Sequence, residues 1–160
     1  MIDIPSEKVS TLESLIDYGI VKVSRQILVD DTDRSDFEQM ADGVTKIQME
    51  SGTTVHFYAL TELNSVGVSP GPMRKYGDSY KLIDVSDNDF WVARLRKKIK
   101  SIKVLKSKYS SPSNPSEFAV MLVLEDGLKA YFEYLDDENF PDTARVVGEY
   151  TGPDCCIHDI

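Results

Sequence analysis

A chain of 160 residues that is 41% hydrophobic and 28% charged fits one soluble globular domain, or two small halves sharing a core. Its net charge of −9 is repelled by nucleic-acid phosphates and anionic lipid, which argues against both as partners and suits a basic protein. No apolar run approaches membrane-spanning length, no basic and apolar leader opens the chain, and the two cysteines are adjacent, so the expected setting is a reducing cytoplasm.

In chain order, residues 6–18 place Val9, Leu12, Leu15 and Ile16 on one side of a short helix, with Ser6 as N-cap and Gly19 as stop. Ile20 to Val29 is rich in β-branched residues and reads as a strand. Asp30 to Asp42 is an acidic connection with a helical turn near Phe37 to Ala41, and 44–60 is a weak hairpin. Ser69-Pro70-Gly71-Pro72 excludes helix and marks a seam. The expected organisation is a first β-rich half at 1–68, a linker at 69–79 and a second β-rich half at 80–160.

In the second half, Tyr80 to Val85 reads as a short strand, and Ser86-Asp87 as the cap of a helical turn carrying Phe90 and Trp91. Ile99 to Leu105 is a strand, and the proline-containing 109–117 a polar loop. Phe118 to Leu135 is the strongest signal in the chain, two strands joined at Asp126-Gly127, a dipeptide suited to a two-residue type I′ turn. Its first strand is apolar on both faces and belongs in the middle of a sheet. Ala144 to Tyr150 adds a strand, and the tail from Gly152 is expected on the surface. Strands outnumber helices by about seven to two on this reading. The expected fold class is α+β, mainly β, made of two similar antiparallel hairpin-based halves with short helices, packed together.

The similarity of the halves rests on a shift of 75 residues. It lays Glu50, Gly52, Phe57 and Leu60 on Glu125, Gly127, Phe132 and Leu135, and Ile27 and Val29 on Ile102 and Val104 without a gap. Self-similarity at a fixed period is the mark of a repeated unit.

Two charge clusters stand out. Arg94, Arg96, Lys97, Lys98, Lys100, Lys103, Lys106 and Lys108 form a basic run, expected to line an edge strand or pair with acids inside the fold, with a phosphate or anionic-partner patch as the alternative. Asp136, Asp137, Glu138 and Asp142, with Glu133 and Glu149 nearby, form a negative surface suited to a cationic protein, with Tyr131 or Tyr134 as an aromatic anchor. The calcium-like spacing Asp31, Asp33, Ser35, Asp42 has Asp36 where a glycine is needed. Cys155, Cys156 and His158 lack the spacing and second cluster of a zinc site. No nucleophile elbow, dinucleotide fingerprint or phosphate loop occurs. No cofactor, metal or catalytic activity is therefore expected.

The segments Ile99-Lys100-Ser101-Ile102, Phe118 to Leu124 and Leu128 to Leu135 resemble those of small bacterial β-rich domains of immunity-protein type. The resemblance covers residues 90–150, and 12–69 more faintly; Ser51 stands in the first half where Asp126 stands in the second. It implies a non-catalytic cytoplasmic protein that neutralises a cognate toxin domain by occluding it. A structural module forming homo-oligomers through a sheet edge, or an enzyme acting on a small molecule, are the alternatives.

Overall fold

The computed structural model describes residues 2–28, 43–71, 78, 80–136, 138 and 142–160. The described chain is mainly β. The strands are β1 (Ile20–Leu28), β2 (Thr45–Met49), β3 (Thr54–Leu60), β4 (Ser65–Ser69), β5 (Tyr80–Asp84), β6 (Ile99–Lys106), β7 (Glu117–Leu124), β8 (Lys129–Leu135), β9 (Thr143–Val147) and β10 (Cys156–Asp159). Two short helices, α1 (Val9–Glu13) and α2 (Asp89–Val92), precede β1 and β6. The strands form two five-stranded antiparallel sheets, ordered β4-β3-β2-β1-β5 and β9-β8-β7-β6-β10. Each is a four-strand meander whose fifth strand returns to the far edge beside the first.

The registers of the two sheets correspond in detail. A bulge between Ile20 and Lys22, opposite Met49 and Gln48, recurs between Ile99 and Ser101, opposite Leu124 and Val123. Such bulges bend a strand and raise its twist, so their placement shapes the sheet. The spacing is 75 residues from Met49 to Leu124 but 79 from Ile20 to Ile99. Ile102 therefore answers to Val23, and the gapless match with Ile27 does not hold: the connection preceding the second strand is four residues shorter in the second sheet. Asp17 and Arg96 both sit at positive φ (71° and 63°) just before the first strand of their sheet. The Asp17 N–H donates to the Ile99 carbonyl at 2.8 Å, and the Arg96 N–H donates to the Ile20 carbonyl at 2.8 Å. Phe57 and Phe132 stack on each other with centroids 3.9 Å apart and planes 13° apart.

One core lies between the sheets. Val23, Ile47, Phe57 and Val68 from the first meet Ile102, Leu122, Phe132 and Val146 from the second, with Leu12 and Trp91 from the helices closing it. A second cluster, Leu105, Ala119, Met121 and Tyr131, sits on the outer face of the second sheet beneath Tyr150 and Cys155. This cover explains why β7, third of five strands, is apolar on both faces.

Several expectations are corrected. The tight hairpin is a three-residue loop, with the Leu124 N–H donating to the Leu128 carbonyl at 2.8 Å. Gly127 alone takes positive φ (88°), and Glu50-Ser51-Gly52 repeats the pattern with Gly52 at 89°; with one extra residue, only the glycine must be left-handed. Strand alternation sets Phe118 on the face of Val120 and Leu122, but Phe118 packs with the second cluster and not in the main core. The β6–β7 register slips between Leu105 and Lys106, which turns Phe118 to the outer face. The expected helix at 6–18 is a 3-10 turn at Pro5–Glu7 followed by the five residues of α1. Tyr80 to Asp84, placed above in the second half, hydrogen-bonds to β1 and completes the first sheet. The tail past Gly152 is exposed, as expected, and also adds an edge strand, since β10 pairs with β6. The expected helical turn at 37–41 lies outside the described residues. No helix among the described residues is long and apolar enough to cross a membrane.

Candidate functional site

On β8, Tyr131, Glu133 and Leu135 alternate away from the main core, and the β8–β9 register sets Arg145 directly opposite Glu133. The Arg145 Nε and Nη2 both donate to Glu133 Oε2, at 3.1 and 2.8 Å. Glu133 is only 3% exposed, and its Oε1 has no hydrogen-bond partner. Burial pushes the Glu133 carboxyl above the usual glutamate range, and the Arg145 pairing only partly opposes this.

Beside this pair lies a cavity of about 340 Å³, walled by Phe118, Glu133, Tyr134, Arg145, Tyr150 and Pro153. That is near the lower end for a ligand pocket. Phe118 and Tyr150 stack at 6.0 Å, and the Tyr131 ring lies 6.2 Å from that of Tyr150. The Tyr150 hydroxyl donates to the Pro153 carbonyl, holding the 150–153 turn over the sheet. Tyr150 is pushed up to about 12 by burial first, then by Cys155, Glu133 and Asp154. Tyr134 is also pushed up to about 12, by burial and by its bond to Asp142. Both hydroxyls thus stay neutral donors at ordinary pH.

Two of the sequence-marked acids, Asp136 and Asp142, meet at this end of the sheet. Asp136 lines the cavity mouth. The Asp142 N–H donates to Asp136 Oδ1 at 3.4 Å, and the Tyr134 hydroxyl donates to Asp142 Oδ1 at 3.0 Å. Glu149 acts electrostatically on Tyr131, and Asp154 on Tyr150. Asp136, Glu138, Asp142, Glu149 and Asp154 are all exposed, while Asp137 lies outside the described residues. Tyr131 and Tyr134 are 7% and 6% exposed, so neither offers a free ring as an anchor. Both are spent on packing, because their strand is covered on each face. Arg145, Phe118 and Tyr150 escaped the sequence reading. The available signal was Arg145 itself, the only lysine or arginine between 130 and 160.

Half of the basic run is engaged within the fold, while Arg96, Lys98, Lys100 and Lys108 are exposed. Lys97 pairs with Asp126, Lys103 with Asp159 at 2.8 Å and Lys106 with Glu117 at 3.5 Å. Arg94 donates to the Lys129 and Phe90 carbonyls and lies 3.8 Å over the Phe90 ring. A larger cavity, about 480 Å³, lies where the N-terminal segment meets the 107–115 loop. Its buried acid, Glu117, accepts from Ser6 N at 2.7 Å and Ser6 Oγ at 2.6 Å, and its own N–H donates to Ser65 Oγ. That carboxylate clasps the N-terminal segment to the second sheet, and the Glu117 backbone N–H ties β7 to β4 of the first. Among the described residues no group of three or more His, Cys, Asp or Glu is placed to hold a metal. Comparison with protein-family models, curated proteins and solved structures finds no match to this chain.

Proposed function

We propose that this chain is a non-catalytic binding protein, built from two copies of one unit, that neutralises a basic protein partner by covering it. A toxin domain occluded by its immunity protein is the relationship that fits. The observation that carries this reading is the acidic end of the second sheet. There Asp136 lines the cavity mouth with Asp142 bonded to it, Glu149 and Asp154 act on the neighbouring tyrosines, and Arg145 is held by Glu133. Uncompensated charge of one sign speeds encounter with an opposite surface and sets its orientation. The duplication is supported by the shared strand order, the repeated bulge and the reciprocal Asp17–Ile99 and Arg96–Ile20 bonds.

The test is affinity capture from cells of the native organism, with the wild type and an Asp136→Lys/Asp142→Lys variant side by side. The wild type retains a basic protein that salt releases, and the charge-reversed variant does not. Recovery of no protein, or equal recovery by both, overturns the reading.

One observation favours self-assembly as a second reading. Leu82 and Ile157 occupy matching positions on the edge strands β5 and β10, and are 48% and 57% exposed. Edge strands with exposed aliphatic side chains invite pairing between copies. Light scattering that reports a monomer over a wide concentration range removes it.

A further inference from the structure

The edge of the second sheet carries two metal-ligating side chains that the matching edge of the first lacks. On β10, Cys156 lies opposite Lys106 and His158 opposite Val104; at the matching rungs, β5 sets Lys81 opposite Ile27 and Ile83 opposite Arg25. Ile83 packs against the core, whereas Cys156 and His158 are exposed, so packing does not explain them. Residues two apart on a strand share a face, and both side chains border the cavity of about 480 Å³. One intervening residue is too short a spacing for a zinc loop, but it suits two ligands on a strand. Cys155 packs instead with the outer cluster that holds Tyr131 and Tyr150. Lys106, which shares the face of Cys156, is paired with Glu117 at 3.5 Å.

A thiolate and an imidazole are half of a tetrahedral zinc set, and among the described residues nothing completes it. The free edge shows where the other half comes from. The Ile160 N–H donates to the Ile102 carbonyl at 3.1 Å. Along β10 the backbone groups of Cys156 and His158 therefore face β6, and those of Ile157 and Asp159 turn outward. A second β10, paired antiparallel on those groups with Ile157 opposite its own copy, sets Cys156 opposite the second copy's His158. That rung is of the kind without hydrogen bonds, in which the Cα atoms are about 4.5 Å apart and the side chains closest. The two ligands of each strand are about 6.8 Å apart along it. Two thiolates and two neutral imidazoles then converge over the centre of the junction and balance the charge of Zn²⁺. On the opposite face Ile157, 57% exposed in the single chain, is buried against itself.

We propose that two copies of this chain join through β10 around one zinc ion, held by Cys156 and His158 of each. Binding releases the two thiol protons, one per chain. The proposal deepens the self-assembly reading by naming the edge, the register and the metal, and it does not depend on the acidic end.

The experiment is light scattering of the full chain under reductant, in EDTA and with zinc added at one ion per two chains. The mass doubles with zinc and returns to that of the monomer in EDTA, and the isolated dimer holds one zinc per two chains. Cobalt(II) in place of zinc gives the intense visible bands of a tetrahedral thiolate site. Cys156→Ser and His158→Ala each abolish the dimer, and so does Ile157→Lys, which keeps both ligands but buries a charge at the junction. All three positions are exposed, and circular dichroism checks that each variant keeps the wild-type fold. Cys155→Ser leaves the zinc-dependent dimer unchanged. A dimer that persists in EDTA, or in both ligand variants, overturns the metal site and leaves pairing of edges standing. Zinc bound by a chain that stays monomeric overturns the proposal, and a dimer indifferent to Ile157→Lys overturns the register. A monomer with and without zinc overturns both the site and the self-assembly reading.

Discussion

Glu133 and His56 are buried on opposite sheets and impose opposite pH dependences on stability. Burial raises Glu133 above the usual glutamate range. The folded state then binds its proton more tightly than the unfolded chain, and stability falls as pH rises through that raised value. His56 is lowered, first by burial and also by Lys46, against a bond to the Ser69 carbonyl. The unfolded state is then the better proton binder, so stability is full above about pH 6.5 and is lost as pH falls through the lowered value. Denaturant unfolding of the wild type, Glu133→Gln and His56→Gln from about pH 4 to pH 8 separates the two. The Glu133→Gln curve gains on the wild type as pH rises; the His56→Gln curve gains as pH falls. Difference curves flat in pH would refute the assignment. The Phe57–Phe132 stack is testable at the same scale. Phe132→Ala should cost about 3–5 kcal/mol, and a double-mutant cycle with Phe57→Ala should give a coupling of about 0.5–1.5 kcal/mol.

At the scale of elements, the two hairpin loops offer an unusually clean measurement. Gly52 and Gly127 hold positive φ near the same value, and a Cβ at either would meet nothing within 4 Å. Gly52→Ala and Gly127→Ala therefore report backbone strain alone, with a loss of about 1–2 kcal/mol each in urea unfolding. A loss in only one would mean that the loops are not equivalent. What the sequence disclosed about elements follows from burial. Strands with one or both faces packed, such as β1, β7 and β8, carry an alternating or continuous apolar pattern and were readable. β10 is exposed at every residue and is held by backbone pairing to β6, so Cys156–Asp159 carries no pattern to read. β4, Ser65–Ser69, is five residues with a central glycine whose role is to receive the Tyr58 ring. That need is visible only once β3 lies beside it. The acidic rim was legible because it is local in sequence. The Glu133–Arg145 pair and its aromatic walls were not, because Phe118, Glu133, Arg145 and Tyr150 meet only through the β7–β8–β9 register and the returning 150–153 turn.

At the scale of the whole molecule, the core belongs to neither sheet alone. The inner face of each, from Val23 to Val68 and from Ile102 to Val146, is buried by the other, and the segments leading into β1 and β6 exchange backbone bonds across the seam. A fragment of 1–86 or 87–160 would expose its apolar face and lose those bonds, leaving too little buried area to offset the conformational entropy of folding. Each fragment alone should therefore show no cooperative thermal transition by circular dichroism. An equimolar mixture should recover a single sigmoidal transition and elute as a one-to-one complex. The proposed duplication sharpens this expectation. Phe57 and Phe132 meet each other from matching strands, so the contact is of the self-complementary kind that two identical units make. Homodimers of one fragment would thus be a further sign of common origin, formed more weakly than the mixed complex because β3 and β8 have diverged. A fragment that unfolds cooperatively as a monomer would show instead that the chain is two independent domains, with the interface between them incidental to folding.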